Sequence, residues 1–366
     1  MAKGSRRVSG VSCEVELIAG LDLGDRSSRL CVLDRESGAV KEESRVVTSP
    51  AGMKRRFGGC ARMRIAIEVG THSPWVSRLL SECGHEVIVA NPRKVRLIYE
   101  NRRKDDRVDA EYLARLARTD PKLLAPIRHR GAQAQRDLAM LRARDSLVRS
   151  RTQLVNHVRG AIKACGHRMP RCDAEGFAGK AEATLPAELK SALTPLIEVI
   201  AGLTAQIRGY ERQLETLAAT SYPETALLRQ VRGVGLLTSL AYVLTIEDPA
   251  RFRTSRAVGA YLGLVPAHRI SGQSNPHLRI SKEGDSFLRR LLVGSAHYIL
   301  GPFGEDCDLR RCGERLGARG SRKERNRAVV AVARKLAVLL HRLWSSKETY
   351  DTLYNARRAS ELRPAA

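Results

Sequence analysis

From Glu16 the chain alternates short apolar, β-branched runs with polar breaks. ELIAGLDL (Glu16 to Leu23) and SRLCVLD (Ser28 to Asp34) have strand patterning and are separated by a polar Gly24-Asp25-Arg26 turn. VKEESRVV (Val40 to Val47) comes next, then a short helical piece, then RIAIEV (Arg64 to Val69), apolar enough for a buried strand. A helix over Trp75 to Cys83 leads to EVIVA (Glu86 to Ala90), which stops at Asn91-Pro92. From about Gln133 the strand signal disappears. Leu147, Leu154, Val158 and Ile162 line one side of a long, Arg-rich helix. A second helix carries Leu189, Leu193, Leu196, Ile200, Leu203, Ile207, Tyr210, Leu214 and Leu217. Its steps of three and four make a heptad seam, which predicts an antiparallel coiled coil of the two helices. Pro195 inside that seam predicts a kink or a restart of the helix.

Beyond Pro223, Gly233-Val234-Gly235 sits between two helical runs. It reads either as a helix-hairpin-helix turn, whose backbone N–H groups suit phosphate, or as a plain helix-joining turn. The end is helical again: the basic run RGSRKERNR (Arg319 to Arg327) enters AVVAVARKLAVLLHRLW, and the tail RRASELRPAA reads as disordered. Three meandering strands followed by strands alternating with helices is the order of an α/β ribonuclease H-like domain. The domains expected are residues 1–130 (that α/β domain), 131–222 (coiled-coil helices), 223–350 (a mainly α C-terminal domain) and 351–366 (a disordered tail).

Charge narrows the partners. Among 366 residues, 64 Lys and Arg face 39 Asp and Glu, a formal net charge of +25. Such an excess repels itself unless a polyanion is present, and nucleic acid is the polyanion that fits. Membrane is the weaker choice. No run of 18 apolar residues exists and MAKGSRRVSG lacks the apolar core of a signal peptide, so a cytoplasmic protein is expected. The eight scattered cysteines then read as reduced thiols. Neither Cys165 with His167 and Cys172 nor Cys307 with Cys312 has the paired spacing of a structural zinc site.

Four carboxylates stand out by placement. Asp22 lies near the end of the first strand and Glu68 near the end of the fourth; Asp106 and Asp109 fall three apart at the start of a helix. Singly, Asp22 reads as a turn cap and the aspartate pair as helix-start acids. Together, in a basic protein, they read as a metal site, because a carboxylate in an apolar strand such as IAIEV needs a partner. Mg²⁺ or Mn²⁺ accepts such oxygen ligands, and two ions can stabilise the attacking and leaving oxygens of a phosphodiester.

The chain resembles the insertion-sequence one-ten family of transposases. The resemblance is carried by GLDLGDR around Asp22, AIEVGTHS around Glu68, VANPRKVRLI from Val89 and KDDRVDAEYLARLA around Asp106 and Asp109. In the second half it is carried by RGVGLLTSLAYVLTIEDPARFRTSRAVGAYLGLVP and SGQSNPHLRISKEGDSFLRRLL, so it covers about residues 16 to 345. It implies a RuvC-like DEDD domain with Asp22, Glu68, Asp106 and Asp109 as the metal tetrad. It also implies a nucleophilic serine in a Ser-Gly pair, here Ser271-Gly272 between GLVP and ISKEG. A serine hydroxyl needs activation, and the residues around Ser271 supply Arg and His but no obvious base, which fits delivery to the metals of the first domain. The chain departs from the family at Gly24-Asp25-Arg26, which makes Asp25 an alternative ligand, and at the doublet Asp105-Asp106. His277-Leu278 precede RIS where relatives carry glycine, which makes Ser274 an alternative nucleophile.

By that resemblance the chain excises and inserts a mobile element by serine attack on DNA. An element-encoded bridge RNA pairs with donor and target DNA, and a homodimer or tetramer holds the two duplexes. Three other readings fit the same residues: a resolvase-like hydrolytic nuclease, an actin-like sugar kinase suggested by GLDLG, and a decayed transposase that binds without cutting.

Overall fold

In the computed structural model the described residues are 15–93, 106–267, 276, 278–318 and 320–361. The chain divides into two compact units, Met1–Ala132 and Gln133–Ala366.

Strands β1 (Leu17–Asp22), β2 (Ser27–Asp34), β3 (Val40–Val47), β4 (Met63–Glu68) and β5 (Glu86–Ala90) form the sheet of the first unit, in the order β3-β2-β1-β4-β5. The first three run antiparallel as a meander, and β4 lies parallel to β1 and β5 parallel to β4. Helices cover the sheet on both faces, so β1 and β4 read as nearly continuous apolar runs. Edge strand β3 is charged and half-solvated, with Lys41, Glu42, Glu43 and Arg45, which discourages pairing with another chain.

One face carries Ala19, Leu21, Leu30, Val32, Ile65 and Ile67 against Met53 and Phe57 of α1 (Pro50–Phe57) and Val76 and Leu80 of α2 (Ser73–Glu82). The other carries Ile18, Cys31, Leu33, Ala66 and Ile88 against Ala110, Leu113, Ala114 and Ala117 of α3 (Asp106–Thr119). The alanines of α3 let its backbone lie close on the sheet. Nowhere is this tighter than at Gly20, where an added Cβ would stand 1.9 Å from the carbonyl oxygen of Ala110.

Cys31 is sealed under α3, and burial, followed by the nearby charges of Glu111 and Glu43, raises its thiol to about 11. Alkylation of the native protein at about pH 8 is therefore expected to spare Cys31 and to modify exposed Cys165. Peptide mapping checks this, and rapid labelling of Cys31 would mean that α3 does not stay seated.

In the second unit, α4 (Ala132–Ala164) and α6 (Lys190–Ser221) run antiparallel, with α5 (Phe177–Thr184) between them in sequence. Arg144 pairs with Glu211, and Arg151 Nη1 donates to Thr204 Oγ1 at 3.2 Å. A step of seven along α4 thus answers a step of seven backwards along α6.

The buried seam is only in part the one the apolar residues predict. It runs Leu193, Ile197, Ile200, Thr204, Ile207, Leu214, Ala218, while Leu196, Leu203, Tyr210 and Leu217 are half-buried beside it. On α4 the buried residues include Asp145, Arg151 and Val155, with Leu147 and Leu154 only half-buried. Arg151 and Thr204, hydrogen-bonded to each other across the pair, take two of the buried positions. Nor does the helix restart at Pro195. It begins at Lys190 after a 3-10 turn, so the proline lies in its second turn.

The near ends of α4 and α6 join one core with α7 (Glu224–Leu228), α8 (Leu236–Ile246), α9 (Arg256–Tyr261), α10 (Ser286–Leu300), α11 (Asp308–Gly317) and α12 (Arg322–Ser346). Central α8 is apolar all round, and its buried Tyr242 hydroxyl donates to the Ala337 carbonyl of α12 at 2.7 Å. Helix α12 opens on a reciprocal capping box of Ser321 and Glu324 within the basic run.

The expectation of a disordered tail is corrected as far as residue 361, because α13 occupies Tyr354–Glu361. It is tied down by Arg342 over the Tyr354 ring and by two hydrogen bonds from Asn355 to the carboxylate of Asp308. Among the described residues no helix is long and apolar enough to cross a membrane.

Candidate active site

The carboxylates fall at one end of the first unit's sheet. Leu21 of β1 pairs in parallel with Ile67 of β4, so the next residues, Asp22 and Glu68, close two adjoining strands at their carboxyl ends. Side chains alternate along a strand. Asp22 therefore shares a face with Ile18 and Gly20, and Glu68 with Arg64 and Ala66, which is the face covered by α3.

Helix α3 runs against the direction of these strands. The Arg64 guanidinium reaches the Ala117 carbonyl at 3.3 Å, anchoring the helix's C-terminal end at the start of β4. From Arg64 to Glu68 the strand climbs about 13 Å, and from Ala117 back to Asp109 the helix covers about 12 Å. Asp109 is thus level with Glu68 and Asp22. All three are half-buried and engaged with other groups. Asp106 is the first residue of α3; its side chain lies outside the described residues, as do Asp105, Ser271, Gly272 and Ser274 altogether.

The donor set suits a hard divalent cation, since it consists of carboxylate oxygens on a framework that can approach from three sides. The described side chains share a face and a level without yet closing on one point: among the described residues no three His, Cys, Asp or Glu groups form a ready metal cluster. Cys165, His167 and Cys172 are no exception. His167 meets Glu188 at 2.9 Å, and Arg159 donates to the Cys172 carbonyl at 3.0 Å.

The loops after β1 and β4 add groups that the sequence pattern does not single out. Trp75 Nε1 donates to His72 Nδ1 at 3.1 Å, so the proton of the neutral ring sits on Nε2, which faces Asp25 Oδ1 at 3.3 Å. Asp25 is almost fully exposed and bound to this histidine. Ser73, fully buried, donates to the Gly70 carbonyl at 2.9 Å and accepts from Gly70 N and from His129 Nε2. Burial, then the charges of Arg78 and Arg130, lowers the His129 pKa, which favours the neutral ring. His72 and Ser73 sit inside the AIEVGTHS stretch and could have been found there. His129 could not, because it arrives through a tertiary bridge between Ile127 and Val89.

In the second unit the segments flanking Ser271 are joined. Pro266 bridges Ile280, Ala267 N donates to Arg279 O at 2.9 Å, and Ser281 N donates to Val265 O at 2.8 Å. Gly263, at φ +65°, lies so close to this return segment that a Cβ would be 2.1 Å from Glu283 O. Arg289 Nη1 donates to Leu262 O and Glu283 O at 2.9 and 2.8 Å, stapling the two sides together. The described residues on either side of Ser271 are thus held in one backbone clasp.

Comparison with known proteins gives two family matches. A DEDD transposase model of IS110 type matches residues 19–166, and a model described as transposase of the IS116/IS110/IS902 family matches residues 225–301. The first span includes Asp22, Glu68, Asp106 and Asp109, and the second includes Ser271. Over 345 residues the chain is 30% identical to the transposase for insertion sequence element IS1111A of Coxiella burnetii, covering 91% of each. A probable family 20 transposase of Pseudomonas aeruginosa is 29% identical, with 90% of this chain and 97% of that one covered. The transposase for insertion sequence element IS1328 of Yersinia enterocolitica is 29% identical, with coverages of 87% and 94%.

Proposed function

Given that the chain belongs to the IS110 family of transposases, enzymes that act on DNA in transposition, we propose that it excises and inserts its element by serine attack on DNA phosphodiesters. The observation that carries this reading is the common face and level of Asp22, Glu68 and the first turn of α3 at the carboxyl ends of adjoining parallel strands. The strand order, with an antiparallel meander continued by two parallel strands, supports a RuvC-like ribonuclease H fold for residues 1–130.

Asp22, Glu68, Asp106 and Asp109 would hold Mg²⁺ or Mn²⁺, which when bound polarises the scissile phosphate and stabilises developing oxyanion charge. Ser271 Oγ gives up its proton and bonds to phosphorus. The bond from phosphorus to the 3′ oxygen breaks, and that oxygen takes a proton. A 5′-phosphoserine link and a free 3′-hydroxyl result, and attack by a 3′-hydroxyl on the link reverses the step without ATP. Ser271 is carried by residues 223–350 and the carboxylates by residues 1–130, so the two must be brought together for reaction.

Residues 131–222 supply the rest of the reading. The α4–α6 pair works as a coiled-coil arm joining copies into a dimer or tetramer, as synapsis of two duplexes requires. A net charge of +25 suits an element-encoded bridge RNA together with DNA, since A-form backbones are held by charge and shape. The work is done in a prokaryotic cytoplasm, at the nucleoid.

The deciding test is single-turnover cleavage of element-end DNA with Mg²⁺ and the adjacent noncoding RNA. Loss of cleavage in Ser271→Ala as well as in the carboxylate variants supports serine chemistry. Cleavage that survives Ser271→Ala makes the protein a hydrolytic, resolvase-like nuclease.

A further inference from the structure

Next to the clasp that holds the described residues on either side of Ser271, the second unit carries an arrangement of arginines that folding alone does not require. Arg142, Asp145 and Arg149 occupy positions i, i+3 and i+7 of α4 and so share one side of the helix. Asp145 is buried, and a single oxygen, Oδ2, accepts from Arg149 Nη2 at 2.8 Å and from Arg290 Nη2 of α10 at 2.7 Å. Beside it Asp285, also buried, caps α10 by accepting from Leu288 N and accepts from Arg142 Nη2 at 2.9 Å.

A buried carboxylate needs one cation to offset its desolvation. Asp145 holds two, both converging on the same oxygen, which brings two like charges together and leaves net positive charge at the surface. The side chains remain 71% exposed at Arg149 and 53% at Arg290 and Arg142, while one Nη2 of each is held by a buried carboxylate oxygen. Exposed ion pairs contribute little stability. Forked donors held in place with spare charge are what a phosphodiester oxygen recognises.

We infer that Arg149 and Arg290, with Arg142 beside them, form a preoriented clamp for the DNA backbone. That the polyanion is DNA rests on the proposed function, but the serine mechanism is not needed for it. The clamp itself stands on the geometry of α4 and α10. Asp145 and Asp285 are positioning residues in it.

The test is fluorescence anisotropy of the full-length protein with a labelled DNA duplex, in EDTA so that no strand chemistry enters the readout. Asp145→Asn raises the net positive charge, so charge alone would tighten binding. A preoriented clamp instead predicts binding weakened on the order of tenfold, with Arg149 and Arg290 released from their fixed positions. Arg290→Lys keeps the charge and removes the fork, and several-fold weaker binding is expected. The double variant Arg149→Gln with Arg290→Gln lowers the slope of log affinity against log salt by about two. Thermal melting shows whether each variant is folded, and if Asp145→Asn is not, Arg290→Lys decides.

Unchanged or tighter DNA binding in the folded variants overturns the clamp, as does weakening confined to an RNA hairpin used in place of the duplex. Adduct formation is assayed separately. A clamp effect without any protein–DNA adduct rejects the serine mechanism and leaves the clamp, whereas an adduct without a clamp effect does the reverse.

Discussion

Asp22→Asn and Glu68→Gln are each expected to slow strand cleavage by on the order of a thousandfold or more while leaving DNA affinity unchanged or slightly raised. The amides keep the size of the side chains they replace, so packing under α3 is preserved. What is lost is an anionic oxygen at the meeting point of two parallel strand ends, where Leu21 lies beside Ile67 and the next residue on each strand is a carboxylate. Neutralising an acid in a chain of net charge +25 does not weaken attraction to a polyanion. Cleavage and affinity should therefore separate cleanly, which a general loss of folding would not produce. Single-turnover cleavage and anisotropy on the same preparations check it. Cleavage retained in the double variant would mean that this strand end is not where phosphodiesters are broken.

The second large effect is structural. Gly20→Ala is expected to destabilise the first unit by about 3 kcal/mol or more, beyond the usual cost of overpacking. The added Cβ would stand 1.9 Å from the Ala110 carbonyl oxygen and 2.6 Å from the Ala114 nitrogen, and both are backbone atoms of a helix that cannot swing aside as a side chain can. Either α3 lifts from the sheet or β1 bends. In both cases Asp109 leaves the level of Asp22 and Glu68, so cleavage falls along with stability. A control is Gly202→Ala on α6, where nothing lies within 4 Å of the added carbon and helix propensity favours alanine by roughly 1 kcal/mol. Thermal unfolding followed by circular dichroism separates the two. A Gly20→Ala protein that melts like the parent would mean that α3 sits farther from β1.

Patterning alone reaches some of these features and not others. Strands β1, β4 and β5 are legible because strands with two covered faces read as nearly unbroken apolar runs: ELIAGLDL contains Leu17–Asp22, and EVIVA is β5 itself. For the same reason the acids closing β1 and β4 stand out in the bare sequence. Gly20 does not, since a glycine in a strand signals a close approach without saying of what, and the answer lies some ninety residues away in the alanines of α3.

The helix pair is legible as a pair, but its rotation is not. Counting apolar positions cannot foresee that Arg151 and Thr204 occupy buried positions, joined by a hydrogen bond across the pair. The double pairing of Asp145 is equally invisible, because Arg290 comes from a helix well over a hundred residues away. Helix α13 escapes because its composition is that of a solvated tail, while contacts with Asp308 and Arg342 tie it down.

The most direct measurement is to incubate the full-length protein with Mg²⁺, element-end DNA and the adjacent noncoding RNA, denature it, and locate any covalently attached nucleotide by mass spectrometry of the digested chain. The account predicts a 5′-phosphate ester on the peptide containing Ser271, absent from Asp22→Asn. Cut DNA with no attached peptide, or an ester on Ser274 in place of Ser271, would contradict it.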